Sequence, residues 1–323
     1  MNGLAPSPAN TLQINKGLWL GLLGIVIFSA TLPMTKLAVG SAEAPQLSPW
    51  FVTFGRAAVA GLLSFLYLLA QYLRGLMLIP SRSQWGLVAF TALGVVVGFP
   101  LFLALALQSV PSTHGAVVTG LLPLATAVVA ALWFRQKPSL AFWACALLGT
   151  LLVLAFMVIQ SADGAGHLSL HLADVFLLLA MLSAALGYIG GARLTPSLGA
   201  ERVICWVLVL SLPATLPLAF MHAPADVRAI ESASWWAFAY VAVFSMWIGF
   251  FAWYRGLAIG GAVRVSQVQL VQPFLSLLFA VPLLGERLDA LTLSFALAVI
   301  ATVFASKKMP VETPVGLAKR GDQ

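Results

Sequence analysis

The sequence predicts an all-α membrane protein of ten transmembrane helices, arranged as two inverted five-helix repeats. Three observations carry this expectation. Charged residues are 8% of the 323 and apolar residues 61%, against roughly 25% charged in ordinary soluble domains. Such a chain has no polar face to offer water and belongs in lipid. Its apolar residues fall into ten runs, most near the ~20 residues that cross a hydrocarbon layer. Two of the runs share their punctuation 150 positions apart. GAVVTGLLPLATAVVAALWFRQKP surrounds Pro123 and VSQVQLVQPFLSLLFAVPLLGERL surrounds Pro273. Each has a proline near its middle and then a short polar turn: Arg135, Gln136 and Lys137 in one, Glu286 and Arg287 in the other. Literal identity is low, so the match rests on proline position and apolar periodicity.

The first run, 17–39, follows Lys16. It exceeds the 7–15 residue core of a signal peptide and is read as an uncleaved span, although Ala42-Glu43-Ala44 imitates a cleavage site. The others cover 50–73, 85–107, 112–134, 140–159, 172–192, 203–221, 235–257, 262–284 and 290–305. Only 108–112 separates the third from the fourth, and only 259–262 the eighth from the ninth. Trp50, Trp85, Trp133, Trp235 and Trp236 sit at run ends, where amphipathic rings favour the headgroup level. The expected organisation is a cytoplasmic segment 1–16, a first repeat 17–160, a second repeat 161–308 and a disordered cytoplasmic tail 309–323.

Charge placement orients the chain. With the N-terminus inside, Lys16, Arg74, Arg82, Arg135, Lys137, Arg193, Arg202, Arg255, Arg264, Lys307, Lys308, Lys319 and Arg320 collect on the cytoplasmic side. The outer side keeps Lys36, Arg228 and Arg287. That asymmetry obeys the positive-inside rule and puts both termini in the cytoplasm. Five spans per repeat is an odd number, so the second copy enters the membrane upside down. Inverted repeats place a substrate site near the midplane, where the copies meet.

Several functions are disfavoured. The net charge of +7 is scattered in ones and twos, without the basic stripe of a nucleic-acid binder. No Walker A run is present, and no cofactor is expected. Cys145 and Cys205 lie inside apolar runs without CxxC spacing and read as small buried hydrophobes. His167, His171 and Asp174 have helical spacing, yet in a loop entering the sixth run they read as a solvated cluster, and no metal is expected. Gly94 and Gly98 form one GxxxG, a weak signal in so apolar a chain.

The candidate working residues are the polar and aromatic ones inside the runs. Pro123 and Pro273 remove a helical N–H and oppose the carbonyls of Thr119 and Gln269. Each is a packed kink or a bend that lines and gates a pathway. Ser266, Gln269, Gln272, Pro273 and Ser276 share one helix face, and Thr119, Pro123 and Thr126 the equivalent face of the fourth run. Gln267 falls off that face. Arg56 lies inside the second run, about 9 Å from its outer end. It either pairs with Glu286, Asp289 or backbone carbonyls, or anchors a substrate carboxylate. Lys36 is expected to snorkel. Phe102, Tyr188, Trp253 and Tyr254 could wall an apolar or aromatic substrate. Every acid lies at a run end or in a loop, which leaves His114 as the one titrating group on the pathway. Facilitated diffusion or weakly coupled exchange is therefore expected.

FAWYRGLA over 251–258, Gln272-Pro273, LGERL over 284–288, FSATLPMTK over 28–36 and Arg56 together resemble the EamA branch of the drug/metabolite transporter superfamily, along nearly the whole chain. The first copy departs from the pattern where Arg135-Gln136-Lys137 replaces its Gly-Glu turn. The resemblance implies a secondary transporter exporting small metabolites, usually amino acids, and the most similar branch includes aromatic amino-acid exporters. It places Thr31 and Met34 of the first-span signature among the substrate-lining residues and Pro33 among the kink residues. The expected partners are a small-molecule substrate and the lipid bilayer of the bacterial inner membrane, with no nucleic acid, as a monomer or weak homodimer. Two other classes compete. One is a lipid-acting membrane enzyme, for which His222 and Asp226 would be the nearest catalytic pair. The other is a non-transporting membrane assembly subunit.

Overall fold

The computed structural model describes residues 8–133, 137–161, 172–260, 266–307 and 311–312. Almost all of this is helix. The helices are α1 (Pro8–Ser29), α2 (Thr31–Val39), α3 (Pro49–Leu73), α4 (Trp85–Ala92), α5 (Phe99–Ser109), α6 (Ser112–Thr119), α7 (Leu122–Trp133), α8 (Leu140–Ser161), α9 (Leu172–Leu198), α10 (Ala200–Met221), α11 (Ser232–Tyr240), α12 (Gly249–Gly260), α13 (Gln272–Leu284) and α14 (Ala290–Lys307). Two π-helical stretches, Leu93–Gly98 and Val241–Ile248, join α4 to α5 and α11 to α12, and a 3₁₀ stretch, Ser266–Val271, leads into α13. Six helical stretches are long and apolar enough to cross a membrane among the described residues: Asn15–Val39, Pro49–Leu73, Trp85–Ser109, Leu172–Leu198, Ala200–Met221 and Ser232–Gly256. At 1.5 Å per residue, 22–27 residues reach about 33–40 Å, enough for a ~30 Å hydrocarbon layer. Trp143–Leu152, Gln272–Leu284 and Ala290–Thr302 are shorter apolar pieces.

Prolines decide where the helices interrupt. The chain breaks at Ala30 before Pro33, at Gly120 and Leu121 before Pro123, and changes from 3₁₀ to α at Gln272 before Pro273. In each case the proline enters the first turn of the following piece, where its missing N–H costs nothing. The uninterrupted proline-kinked helices expected around Pro123 and Pro273 are therefore broken into halves.

Packing pairs the two halves of the chain in a reciprocal pattern. Helix α3 packs on α10, α8 on α14 and α6 on α13, while α1 packs on α12 as α5 packs on α9. The π-helical stretches fall in corresponding places in this pattern. Close approach relies on glycine. A Cβ on Gly94 would lie 2.6 Å from the Ser183 carbonyl and 2.8 Å from the Gly187 Cα, and one on Gly256 would lie 2.7 Å from the Gly21 amide. The GxxxG that looked weak in sequence is thus a helix-packing face of the kind small residues permit.

The apolar core divides into two clusters. One gathers Leu32, Val52, Leu107, Leu177, Val241 and Leu277, at the end holding the 40–48, 110–111 and 285–289 turns. The other gathers Phe28, Ala57, Ala184, Met246 and Trp253 at the opposite end. Between them in each chain segment stand the polar residues Thr31, Arg56 and Ser245, all buried. In the stretch expected to be a disordered tail, Val311–Glu312 pairs antiparallel with Lys137–Pro138. The rest of that stretch lies outside the described residues.

Candidate functional site

The polar layer begins at Arg56. Helix α3 starts at Ser48, whose hydroxyl accepts from the Phe51 amide, and Pro49 stands in its first turn. Arg56 follows two turns on and is 2% exposed. Its Nη2 donates to Ser245 Oγ at 3.1 Å, and the Ser245 and Thr31 hydroxyls are 2.8 Å apart. Nε and Nη1 find no acceptor among the described residues. A buried cation without a counter-charge costs several kcal/mol, so this guanidinium is an unmet demand for an anion. Pairing with Glu286 or Asp289 does not occur. Glu286 is taken by the N-terminus of α6, accepting from the Ser112 and Thr113 amides at 2.7 and 2.8 Å. Asp289 caps α14, accepting from the Thr292 amide at 2.8 Å. Both carboxylates satisfy orphan donors at the positive ends of helices, and neither reaches the membrane interior.

Two residues before Thr31, the break in the first span exposes the Ser29 carbonyl, which accepts from Ser276 Oγ at 2.8 Å. Ser276 belongs to a second polar pocket. Thr119, Leu122 and Pro123 from the first half meet Gln269, Gln272, Pro273 and Ser276 from the second around a cavity of about 10 Å³, the room of about one water. Gln269 is 2% exposed and its Oε1 has no partner among the described residues. Thr119 turns its hydroxyl onto the Gly115 carbonyl at 2.7 Å, and Thr126 onto Leu122 at 2.8 Å. The expected faces around Pro123 and Pro273 therefore converge. The side chains of Ser266 and Gln267 lie outside the described ones.

The aromatic residues separate into two groups. Tyr188 stands 6.3 Å from Trp253 and 6.2 Å from Phe250, and Phe250 stands 5.3 Å from Tyr254. Trp253 Nε1 and the Tyr254 hydroxyl are buried without partners among the described residues. Phe102 stacks on Phe176 at 6.1 Å instead. It and Met34 pack against the other core cluster, away from Trp253 and Tyr254.

A vestibule of about 480 Å³ opens at the end carrying the 40–48 turn. Lys36, Glu43, Gln46, Pro111, Glu231 and Glu286 are among its walls. Lys36 donates to the Leu107 carbonyl at 2.7 Å, so it crosses to the third span rather than snorkelling freely. Beneath the rim, His114 Nε2 lies 2.7 Å from Asp174 Oδ1, with both side chains buried. The sequence put Asp174 in the outer loop, in a solvated cluster with His167 and His171. It is 1% exposed, and the two histidines lie outside the described residues. Among the described residues no group of three or more His, Cys, Asp or Glu is placed to hold a metal. His222 stacks on Trp50 at 5.7 Å and Asp226 accepts from the Arg228 amide, so each is spent on its own contact. Cys145 and Cys205 are free thiols, half-buried and buried.

Sequence reasoning missed Ser245 and set Asp174 in a solvated cluster rather than in the interior. A lone serine in VAVFSMWIGF was the available signal for the first. The pairing of Asp174 with His114 had none, because it joins positions 60 apart.

The chain is 43% identical to the "Uncharacterized transporter YdeK" of Bacillus subtilis (strain 168), over 89% of its length and 96% of that protein. It is 24% identical to the "Uncharacterized transporter YyaM" of the same organism, over 77% and 80%. A solved structure bearing only the description "Crystal structure of protein" has the same fold, with a TM-score of 0.58 at 18% identity over 90% of this chain and 97% of that one. The model of the EamA-like transporter family matches twice, over residues 15–158 and 171–306. The chain is a multi-pass membrane protein that belongs to the EamA-like transporter family of the drug/metabolite transporter superfamily.

Proposed function

We propose that this protein is a secondary transporter that exports small carboxylate-bearing metabolites, amino acids first among them, aromatic and other apolar ones included. It moves them by alternating access between two inverted five-helix halves. The observation that carries this reading is the polar pocket where the two broken helices meet, Thr119 and Pro123 from one half and Gln269, Gln272 and Pro273 from the other. A half-helix end frees backbone groups that lipid cannot satisfy, and transporters use such ends to hold solutes at the midplane. Arg56 supports a carboxylate as the recognised group, because guanidinium and carboxylate match as a fork. Tyr188, Trp253 and Tyr254 supply an apolar wall beside it.

In this reading the pieces α6–α7, α8, the 3₁₀ stretch with α13, and α14 complete ten spans with the six long ones. Both termini face the cytoplasm, the protein sits in the plasma membrane, and it works as a monomer or weak dimer. The open vestibule is the outer mouth, and the small central cavity is the occluded site. The test is flux of labelled amino acids, one at a time, in liposomes holding the purified protein. Gln269→Leu is expected to lower flux far more than Gln267→Leu at equal incorporation. Equal losses would remove the lining role of the Gln269 face, and no flux of any of the twenty amino acids would sink the substrate class.

A further inference from the structure

We infer that Glu286 is the latch of the outer mouth. It ties the second repeat to the N-terminus of the broken half-helix α6 in the first, and it must release before the central pocket opens outward. This rests on the transport reading above and names the contact that regulates its outer step.

Helix α6 has no cap of its own. Pro111 holds its N-cap position and makes no side-chain cap bond, because proline carries no acceptor there. The Ser112 hydroxyl is buried without a partner among the described residues. Other helices serve themselves: α3 begins on Ser48 and α14 on Asp289. Glu286 supplies what α6 lacks, from more than half the chain away. One carboxylate oxygen accepts from the Ser112 amide at 2.7 Å and the other from the Thr113 amide at 2.8 Å. Ser112 and Thr113 are buried. A carboxylate held at two points by the positive end of a helix makes a strong, charge-assisted contact. A helix capped by the other half of the molecule is satisfied in one arrangement of the halves and uncapped when they part.

Position gives the contact its role. Gly285 ends α13 in the left-handed region, with φ 66°, and so turns the chain from α13 toward α6. Glu286 and Pro111 stand on the vestibule wall. Helix α6 packs on α13, with Val117, Val118, Leu277 and Ala280 buried. At their inner ends Thr119, Gln272 and Ser276 reach the central pocket. The seam between α6 and α13 therefore separates vestibule from pocket, and Glu286 fastens its outer end.

The two mouths are unequal. Glu286 and Gln136 stand 150 positions apart, the spacing of Pro273 and Pro123. Gln136 lies outside the described residues. Its neutral amide cannot offer the two anionic oxygens of a carboxylate. The charged latch belongs to one repeat, and it biases the resting molecule toward a closed outer mouth.

The experiment measures how fast Gln272→Cys reacts with a membrane-impermeant maleimide, in the full chain with Cys145 and Cys205 replaced by serine. The reagent is applied to intact cells for the outer side and to inverted membrane vesicles for the inner side, without added solute. Glu286→Gln is expected to raise the outer rate about tenfold, the population shift from one lost charge-assisted contact. Ser112→Pro removes the donor to one carboxylate oxygen at a first-turn position that tolerates proline, and is expected to raise the outer rate in the same direction. The inner rate should rise in neither. If one variant fails to fold, the other decides. An unchanged outer rate in a folded variant overturns the latch, and wild-type labelling from both sides then leaves the transport reading standing. Rates that rise on both sides indicate general loosening and overturn the latch as well. Labelling from one side alone, in wild type and variants alike, removes alternating access and the latch with it.

Discussion

At the scale of single residues, Arg56 separates function from stability. Among the described residues its guanidinium is buried with one hydroxyl partner and no carboxylate, so its desolvation is poorly offset. Arg56→Met is expected to melt at or above the wild-type temperature while amino-acid flux falls at least about tenfold, the value of one charge-assisted contact. A clear drop in melting temperature would assign Arg56 to structure instead. Asp289 behaves in the opposite sense. The Thr292 hydroxyl and amide hold its carboxyl below the usual carboxylate range. A depressed carboxyl adds stability above its unfolded value near 3.9 and loses it as pH falls through the folded value. Asp289→Ala should therefore lower thermal stability at pH 7 by about 0.5 kcal/mol, the low end for a cap. Once the pH has fallen below the folded value of that carboxyl it should match the wild type, as differential scanning fluorimetry in detergent can check.

At the scale of elements, two kinds of device carry the molecule. The first is close helix contact. Gly94→Ala would push a methyl into the Ser183 carbonyl and the Gly187 backbone, and overpacking of this kind costs about 1–3 kcal/mol. Thermal melts are expected to show that loss, whereas Gly86→Ala, with open space around it, should not. The second device is the broken helix. Pro273→Ala restores an N–H and lets Ser266–Leu284 run on as one helix. Stability should hold or rise, and flux should slow. Flux unchanged by Pro273→Ala and Pro123→Ala together would mean that the breaks only shape the packing. These breaks also mark what the sequence could show. Proline spacing located both bends, though not that they are full breaks, and the face bearing Thr119, Gln269 and Gln272, because proline acts on its own backbone. The same reading placed Arg56 in the interior but not beside Ser245. It left Asp174 in a loop and set Phe102 with Trp253. Those are tertiary facts, fixed by contacts between positions 60 to 189 apart, on which helical periodicity is silent.

At the scale of the whole molecule, the packing is reciprocal (α1 with α12, α5 with α9, α3 with α10, α6 with α13, α8 with α14) and the family match is two-fold; the mechanism proposed above has the two halves rock about a shared polar layer. Arg56, Ser245 and Thr31 sit between two apolar clusters, so rocking could expose that layer at either end without unpacking both cores. The measurement that tests this most directly is two-sided labelling of Gln272→Cys, in a chain with Cys145 and Cys205 replaced by serine, using a membrane-impermeant thiol reagent. Alternating access predicts that position 272 reacts when reagent is applied from the outside and again when it is applied from the inside, and that a transported amino acid slows both. Reaction from one side alone, in protein that still binds or moves solute, would contradict it.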